Sequence, residues 1–455
     1  MAVGTETMQV FEPATEQVLT ELPRAGVEEA DEAISRANAA FPGWKDVAPG
    51  DRAKLLRRLA RALEGKVEEL AQLEARNVGK PISDARGEVG SVVDVFDYYA
   101  GAPERLLGSQ IPVSGGVDVT FREPLGVVGL ITPWNFPLPI ASWKVGPALA
   151  AGNTIVLKPA ELTPLTAIEL GKLALEAGIP EGVVNVVAGP GSVCGQRLVE
   201  HPDVAKIAFT GSTEVGRQIM AGCAEQVKHV TLELGGKSAN IVFADADVAA
   251  AAAAAPGAVF DNAGQDCCAR SRILVERSVY DEFLGRLETA ISEWRVLDPA
   301  DESSQMGPMV SAGQRDSVQR YVDAATIAFQ GTTPGGDGYW LPAMVTEAKD
   351  VAEPVWREEV FGPLVAVMAF DDEDEAVALA NDSDYGLSGS IYTRDLGRAL
   401  RVSRGVQTGN LSVNSHASVR YWTPFGGYKM SGLGRELGPD APYAFTEEKN
   451  VFIAH

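Results

Sequence analysis

The residue with the clearest chemical potential is Cys267, which lies in the segment NAGQDCCARSR just before an apolar run typical of a strand. A loop that carries Gly and Asn can leave a thiol accessible, and polar or cationic neighbours lower the pKa of a thiol towards the nucleophilic thiolate. Cys268 is the competing nucleophile. A buried cysteine with a purely structural role is the alternative interpretation of the segment.

Glu233 lies in TLELGGKSAN, where an apolar strand pattern ends and two glycines follow. A carboxylate at such a point is partly desolvated, which raises its pKa towards the range useful to a general base. Taken alone, the segment is better interpreted as a surface glutamate at the end of a strand.

Asn135 lies in ITPWNFPL, where Pro133 and Pro137 restrict the backbone on both sides. An amide held in a fixed place can donate a hydrogen bond to a developing oxyanion. The same residue could simply cap a helix. The local sequence leaves both interpretations open.

Two glycine-bearing segments each follow a strand pattern and could receive a phosphate at the start of a helix. GPGSVCG (189–195) has Cys194 where the third glycine of the dinucleotide fingerprint belongs, and FTGSTEVG (209–216) departs from the fingerprint as well. Either segment could also be an ordinary tight turn.

The elements that must position these residues follow from hydrophobic periodicity. Beyond residue 125, short apolar runs alternate with helical patterns, which indicates a doubly wound parallel sheet with helices on both faces. Apolar residues at three- and four-residue steps predict helices in the N-terminal quarter, the second of them capped by Asp51. The stripes are Val27, Ala30, Ile34, Ala37 and Phe41, then Leu56, Leu59, Leu63, Val67 and Leu70, and the strand patterns are 126–132, 154–159, 183–189 and 206–212.

A second α/β stretch follows an alanine-rich helix that begins behind Asp247 and is predicted to end at Pro256 and Gly257. The pattern of residues 108–123 predicts a hairpin that belongs to neither core. The further helix patterns are 162–177, 192–200, 278–295, 314–328 and 373–381, and the further strand patterns are 271–276 and 362–370.

The bulk properties restrict the class of protein. A chain of 455 residues is too long for one ordinary core, so we expect two domains and perhaps a small appendage. A net charge of -23 disfavours nucleic acid and anionic lipid as partners. Four cysteines indicate neither a disulfide framework nor a zinc site. Because the N-terminus does not resemble a signal peptide and no apolar run is long enough to cross a membrane, we expect a cytoplasmic protein.

Taken together, these segments resemble the aldehyde dehydrogenase superfamily from residue 9 to nearly the C-terminus. Their order and spacing match the family, and seven collinear motifs are far more specific than any one of them. The motifs are PWNFPL (133–138), KPAE (158–161), FTGSTEVG (209–216), LELGGK (232–237), GQDC (264–267), EEVFGP (358–363) and PFGGYKMSG (424–432).

The resemblance implies an α/β fold with three parts. Residues 1–105 and 125–235 would form a Rossmann-type cofactor-binding domain, and residues 236–439 would form an α/β catalytic domain. Residues 106–124 and 440–455 would form a small β oligomerisation arm, so we expect a homodimer or homotetramer.

The resemblance also implies a reaction, the oxidation of an aldehyde to a carboxylic acid. Cys267 would attack the aldehyde carbon, while the side-chain amide of Asn135 and the backbone N–H of Cys267 hold the oxyanion. Hydride loss would leave a thioester on Cys267, and Glu233 would activate the water that hydrolyses it.

The implied cofactor is NAD, with NADP possible and no metal. Lys158 and Glu161 would contact the adenosine ribose, and a carboxylate at 161 disfavours the 2′-phosphate of NADP. The remaining cofactor residues are Trp134 and Ser212, which would flank the pyrophosphate, Gly211 of the same motif, Glu359 at the nicotinamide ribose and Phe361 beside the ring.

The substrate is the least determined feature. The family's substrate tunnel corresponds to Phe136, Trp143, Asp261, Asp266 and Phe425, with the loop 415–423 nearby. Aromatic walls suit apolar chains but also bind cations, and the two aspartates could attract a positive substrate. The string NAGQDC resembles the aminobutyraldehyde and betaine-aldehyde branch, which often has an aromatic residue where Asp261 stands.

We therefore hypothesise an aminoaldehyde such as 4-aminobutyraldehyde, or betaine aldehyde, as substrate. A dehydrogenase of broad aliphatic and aromatic specificity, with both aspartates solvated, is the main alternative. Two further alternatives are an acylating dehydrogenase that passes the thioester to coenzyme A, against which Glu233 speaks, and a non-catalytic protein on the same scaffold, against which the set Cys267, Glu233 and Asn135 speaks.

Overall fold

Apolar runs and helical stripes of the N-terminal half become the first set of elements in the computed structural model, which describes residues 6–455. In chain order they are β1 (Thr7–Glu12), β2 (Gln17–Pro23), α1 (Val27–Lys45), α2 (Pro49–Glu64), α3 (Val67–Val78), α4 (Ile82–Ala100), β3 (Gln110–Ile111), β4 (Gly116–Pro124), β5 (Val127–Ile131), α5 (Pro137–Ala150), β6 (Thr154–Lys158), α6 (Leu165–Glu176), β7 (Val184–Val186), α7 (Gln196–Glu200), β8 (Val204–Thr210), α8 (Thr213–Ala224) and β9 (His229–Glu233).

The second half contains the remaining elements. They are β10 (Ala239–Val242), α9 (Val248–Phe260), β11 (Arg272–Glu276), α10 (Tyr280–Ser292), α11 (Ala312–Ala324), β12 (Ile327–Gln330), β13 (Met344–Glu347), α12 (Pro354–Arg357), β14 (Leu364–Phe370), α13 (Glu373–Asn381), β15 (Tyr385–Gly386), β16 (Ser388–Tyr392), α14 (Leu396–Gly405), β17 (Asn410–Val413), β18 (Tyr428–Lys429), β19 (Gly432–Leu433) and β20 (Thr446–Ala454).

The first large sheet has the order β19-β9-β8-β5-β6-β7, in which β5 to β9 are parallel and β19 is antiparallel. Every residue of β5 and β6 is buried, because helices cover both faces of the sheet. The chain runs outward from β5 through β6 and β7, then returns to the other side of β5 with β8 and β9. This order confirms the Rossmann-type prediction and creates a switch point between β5 and β8.

The second large sheet has the order β12-β13-β14-β11-β10-β16-β17 and is parallel except for β12. Its core contains the alanine-rich face of α9, which explains why that run carries small side chains. The two sheets confirm the predicted α/β fold class with two hydrophobic cores.

Two boundaries among the N-terminal helices differ from the prediction. The stripe of α1 is confirmed by the complete burial of Ile34. Asp51 does not cap α2, which begins at Pro49 with Ala48 as its N-cap, because proline already has the φ of a first helical turn. The helix ends before Gly65, so Val67 lies in α3 rather than in a continuous second helix.

Helix α9 begins as predicted, since the Asp247 side chain accepts a hydrogen bond from the Ala250 N–H at 3.0 Å. The predicted end at Pro256 and Gly257 is wrong, because the helix continues to Phe260, which is buried in the second core. The energy of burying that last turn outweighs the hydrogen bond that the proline cannot donate.

A left-handed turn links α9 to the segment that contains Cys267. Asn262, Ala263 and Gly264 have φ values of 49°, 58° and 69°. This conformation is unfavourable for non-glycine residues, so the surrounding structure must stabilise it. The turn reverses the chain and directs residues 265–268 towards the first sheet.

The hairpin prediction is confirmed by β3 and β4, which pair antiparallel. The C-terminal strand β20 pairs with β4 from Thr446 opposite Pro124 to Ala454 opposite Gly116. The resulting three-stranded sheet is separate from both large sheets.

Among residues 6–455, no helix combines the length and the apolar character that crossing a lipid bilayer requires.

Gly264→Ala should destabilise the protein by about 2 to 4 kcal/mol. Its φ is +69°, and an added Cβ would lie 2.3 Å from the backbone oxygen of Gly362. Gly90→Ala, in the middle of α4 with no atom within 4 Å of the new Cβ, is the matched control and should be neutral or stabilising by about 0.5 to 1 kcal/mol. Urea unfolding monitored by circular dichroism measures both, and equal stabilities of the two variants would contradict the role of the turn.

Candidate active site

A cavity of about 260 Å³ lies at the switch point, beyond the carboxyl ends of β5 and β8. Ligands of open α/β sheets bind at such points, because the loops diverge there. Seven of the residues singled out from the sequence line this cavity: Trp134, Asn135, Gly211, Ser212, Cys267, Glu359 and Phe361.

Cys267 differs from the other cysteines of the chain in its accessibility. It is half-buried and faces the cavity, whereas Cys194, Cys223 and Cys268 are buried. The interpretation of Cys267 as a buried structural thiol is therefore wrong, and the same geometry makes Cys268 the poorer nucleophile.

The expected lowering of the Cys267 pKa is also wrong. A hydrogen bond with Cys268 and burial raise the pKa of Cys267 well above its usual range, and nearby Asp266 and Glu359 act in the same direction. The carboxylate of Asp266 accepts the backbone N–H of Cys268 at 2.9 Å, which places negative charge beside the thiol pair. One ligand atom each of Asp266, Cys267 and Cys268 lies within 4.8 Å of the others. Both effects favour the neutral thiol over the thiolate.

The Asn135 amide is fixed by a hydrogen bond from its Nδ2 to the backbone oxygen of Gln265 at 2.8 Å. The backbone oxygen of Asn135 accepts hydrogen bonds from Asn262 Nδ2 at 2.9 Å and from Lys80 Nζ at 3.1 Å. Gln265 is in turn held by its Nε2, which donates to the Asn262 oxygen at 2.9 Å, and by the N–H of Val310.

The helix-cap interpretation of Asn135 is wrong. Helix α5 begins at Pro137 with Phe136 as its N-cap, and no side chain caps it. Within the described hydrogen bonds, the Asn135 amide uses one of its two hydrogens, and the backbone N–H of Cys267 makes no bond. Two donors are thus available at the cavity for an oxyanion.

Glu233 ends β9 and is buried, with 3% of its surface exposed, so the interpretation as a surface glutamate is wrong. Neither of its carboxylate oxygens has a hydrogen-bond partner among the described residues. Burial and the neighbouring Glu436 raise its pKa well above the usual value, against the effect of Lys144. Lys144 is completely buried and forms an ion pair with Glu436. The direction of the pKa shift agrees with the expectation for a general base.

Several of the expected cofactor residues are in contact with one another around the cavity. The rings of Trp134 and Phe361 meet edge to face with centroids 5.2 Å apart, and Phe361 has a positive φ of 55°. Glu359 Oε1 accepts the Gly236 N–H at 2.8 Å, and burial raises the pKa of Glu359 to about 7. Ser212 caps α8 by accepting the Val215 N–H at 3.4 Å.

The other two expected cofactor residues lie at the neighbouring strand end. Lys158 closes β6 and is 4% exposed, and Glu161 follows in the loop. Burial lowers the pKa of Lys158, whereas Glu161 opposes that effect. A Cβ on Gly191 would lie 4.0 Å from Lys158 Nζ, so the 189–195 segment packs beside this lysine.

The expected tunnel residues do not form one group. Trp143 and Phe425 pack edge to face with centroids 5.3 Å apart, in the apolar cluster that also contacts Cys267. The ring of Phe136 lies 4.3 Å from Lys80 Nζ. Asp266 is beside the thiol pair, as described. Asp261 instead lines a separate depression of about 450 Å³.

That depression is acidic. Asp84 and Glu302 line it with Asp261, at the start of α4 and in the 294–305 segment. The Asp261 side chain is exposed to the depression, but protein is packed densely around its carboxyl. This packing, and then the nearby Asp84 and Asp266, raise the pKa of Asp261 to about 7. Arg295 lines the same depression and Arg86 forms an ion pair with Glu302 at 2.8 Å, so positive side chains already balance part of this charge.

Several residues of the site were not identified from the sequence. Gln265 belongs to the GQDC motif, so its fixed position could have been noticed. Lys80 and the pair Lys144 and Glu436 carry no local signal, because their importance comes from burial. Arg270, three residues after Cys267, is 4% exposed and hydrogen-bonds five oxygens.

Comparison with known proteins agrees with this geometry. The family model described as "Aldehyde dehydrogenase family" matches residues 1–451. The chain is 42% identical to betaine aldehyde dehydrogenase 1 of Oryza sativa subsp. japonica, over 95% of this chain and 89% of the relative. It is 43% identical to phenylacetaldehyde dehydrogenase of Pseudomonas fluorescens, over 100% of this chain and 94% of the relative.

A solved structure of a protein named PnpE, in complex with nicotinamide adenine dinucleotide, superimposes with a TM-score of 0.97. Its sequence is 42% identical, and the match covers 99% of this chain and 95% of that one. PnpE comes from Pseudomonas sp. WBC-3. With the family model spanning nearly every residue and with relatives above 40% identity, the chain belongs to the aldehyde dehydrogenase family and is an oxidoreductase.

Proposed function

We propose that the enzyme oxidises its aldehyde through a thioester on Cys267. The observation that carries this proposal is the Asn135 amide, fixed by Gln265 with one hydrogen unused, in the cavity that also contains the accessible thiol. The Cys267 thiol gives its proton to solvent in the cavity, and its sulfur then attacks the aldehyde carbon. The C–S bond forms as the C=O π bond breaks, so the carbonyl oxygen becomes an oxyanion. Asn135 and the Cys267 backbone N–H stabilise this oxyanion, which collapses as hydride leaves.

Glu233 is the proposed general base for hydrolysis of the thioester. A water that gives a proton to Glu233 attacks the acyl carbon, the C–S bond breaks, and the thiolate leaves with a proton returned to it. Burial and Glu436 raise the pKa of Glu233, which makes its carboxylate a stronger base than an ordinary one. Lys144 opposes this effect.

The residues around the cavity fit NAD. Glu359 and Phe361 would hold the nicotinamide end, and Ser212 and Trp134, with Gly211, would flank the pyrophosphate at the start of α8, a helix of the kind whose N-terminus accepts phosphate. NAD, when bound, supplies the hydride acceptor. Lys158 and Glu161 would bind the adenosine ribose, and the Glu161 carboxylate favours NAD over NADP.

Cys267→Ala should abolish aldehyde-dependent NADH formation, whereas Cys268→Ala should retain activity within about tenfold.

Asn135→Ala should lower kcat by about 10²- to 10³-fold. Glu233→Gln should give one rapid equivalent of NADH per site followed by slow turnover, because the thioester accumulates. Absorbance at the NADH band measures all four, with NAD expected to outperform NADP in the wild type. An active Cys267→Ala variant would contradict the proposed nucleophile.

For the substrate, we propose an aldehyde with a cationic head group, such as betaine aldehyde or 4-aminobutyraldehyde. The supporting observation is the Asp266 carboxylate beside the nucleophile, together with the aromatic rings of Trp143 and Phe425 in the cluster around the thiol pair. An ammonium group is attracted by the carboxylate and by the faces of such rings. Resemblance to the rice betaine aldehyde dehydrogenase supports the same class.

Broad oxidation of apolar aldehydes is the second candidate, and a specific observation favours it. Trp143, Phe425 and Tyr421 contribute aromatic surface to the cluster around the thiol pair, while the ring of Phe136 already contacts the Lys80 ammonium. Apolar chains bind such surface without any charge. The similarity to phenylacetaldehyde dehydrogenase is in line with this alternative.

The pH dependence separates the two candidates. Burial raises the pKa of Asp266, so its carboxyl becomes negative at a higher pH than an ordinary aspartate does. The kcat/KM for betaine aldehyde, relative to that for hexanal, should therefore rise with increasing pH as Asp266 loses its proton. Asp266→Asn should flatten this rise, whereas Asp337→Asn, on a distant loop, should not. Tenfold preference for hexanal at every pH would contradict the cationic substrate.

We also propose the division into a cofactor domain (1–105 and 125–235), a catalytic domain (236–439) and an oligomerisation arm (106–124 and 440–455). One face of the arm sheet is apolar and exposed, with Val117, Phe121 and Ile453 on neighbouring positions of β4 and β20. A second copy of the chain covering this face would give the expected homodimer or homotetramer.

The double variant Phe121→Glu, Ile453→Glu should lower the molecular mass in solution, because it places charge in the proposed interface. Asn450→Glu, on the opposite face of β20, is the matched control and should leave the mass unchanged. Light scattering after size exclusion measures both, and a wild-type monomer would contradict the arm's role.

A further inference from the structure

Arg270 is a buried cation that the proposed chemistry does not use. It lies between Cys267 and β11 and is 4% exposed. Burying a guanidinium is costly unless its donors are satisfied, so an arginine at this place must be doing something that an apolar residue could not.

The acceptors of Arg270 come from three parts of the chain. Nη1 donates to the Cys268 backbone oxygen at 2.6 Å, in the segment of the nucleophile. Nη2 donates to the His416 backbone oxygen at 3.1 Å and to Ser418 Oγ at 3.0 Å, in the loop 414–424. Nε donates to Ser390 Oγ at 3.1 Å, on β16. One planar group therefore joins the nucleophile, a strand of the second sheet and a loop.

His416 extends the same network. Its Nδ1 is 2.8 Å from Ser390 Oγ and its Nε2 is 2.9 Å from the Tyr392 hydroxyl. Burial and the charge of Arg270 lower the pKa of His416 to about 4, so the ring is neutral at physiological pH. The network therefore keeps its hydrogen bonds across the neutral range.

The loop 414–424 has little else to hold its first half. Residues 415–420 form no helix or strand, and their described hydrogen bonds to the rest of the protein involve only His416 and Ser418. Beyond them, the ring of Tyr421 packs on Tyr98 with centroids 5.4 Å apart. Tyr421 belongs to the same apolar cluster as Cys267, Trp143 and Phe425.

We propose that Arg270 is a specificity-determining positioning residue, which fixes the loop 414–424 relative to Cys267 and thereby sets which aldehydes fit between them. This inference rests on the proposed function of Cys267. It concerns the parts of the substrate remote from the carbonyl, because Tyr421 of the loop belongs to the aromatic cluster around the thiol pair, whereas no residue of the loop lines the cavity that contains Cys267. Large aldehydes depend on the tether, and small ones do not.

The test compares kcat and KM for propanal, hexanal and betaine aldehyde in wild type, Arg270→Met and Ser418→Ala. Arg270→Met should raise KM for hexanal and betaine aldehyde by about tenfold or more. Its kcat/KM for propanal should change less than about threefold. Ser418→Ala removes only the loop end of the tether, so it should shift the selectivity in the same direction by a smaller factor.

Arg277→Gln is the matched control, because Arg277 follows β11 and is exposed, with Asp371 as its partner. It should leave all three substrates unchanged. Thermal unfolding checks the fold of each variant, and if Arg270→Met does not fold, the selectivity of Ser418→Ala decides.

An equal loss for all three aldehydes would overturn the inference, since it would place the effect on the nucleophile segment or on the fold. Unchanged selectivity in both variants would overturn it as well. Failure of the proposed function is a different result, in which wild type forms no NADH with any aldehyde or Cys267→Ala remains active.

Discussion

The hydrogen bond from Asn135 to the Gln265 backbone joins the two halves of the active site. Asn135 follows β5 of the first sheet, and Gln265 precedes β11 of the second, so the proposed oxyanion donor and the proposed nucleophile come from segments next to different sheets. The bond fixes the separation of the amide from Cys267, two residues beyond Gln265. Lys80 and Asn262 hold the Asn135 backbone, and Val310 holds Gln265, so the contact is supported from both sides. A preorganised donor is effective because it need not reorient during the reaction.

Buried charge is the second constraint on this site. Lys144 with Glu436 and Lys80 with Glu88 are pairs removed from solvent, and Glu233 is a buried carboxyl near the first pair. Such groups do not stabilise a fold efficiently, because the desolvation of each charge is costly. Their effect here is electrostatic, since Glu436 adds to burial in raising the pKa of Glu233, and Lys144 opposes it. The pKa of Cys267 is raised instead by its hydrogen bond with Cys268 and by burial, with smaller effects from Asp266 and Glu359.

The sequence was informative for residues that lie at the end of a strand. The parallel strands, their burial and the residues at their carboxyl ends could be predicted, because a continuous apolar run indicates a buried strand whatever surrounds it. Asn135 and Gly211 follow β5 and β8, and Glu233 ends β9. The end of α9 could not be predicted, because the burial of Phe260 overrides the local signals of Pro256 and Gly257. The Cys267 pKa could not be predicted either, because it depends on the hydrogen bond with Cys268 and on carboxylates from distant segments.

The difference between reaction and substrate has the same physical origin. The residues proposed for the chemistry are fixed by regular elements, whereas the walls around the aldehyde come from a loop without regular structure and from side chains of several helices. Asp261 illustrates this, since its side chain shares a depression with Asp84 of α4 rather than facing Cys267. Arg270 is a second example. It lies close to Cys267 in sequence, but nothing in that segment indicates that Arg270 contacts the backbone of His416, 146 residues away. Substrate selectivity in this enzyme therefore depends on tertiary contacts that a motif does not encode, even where the motif identifies the nucleophile.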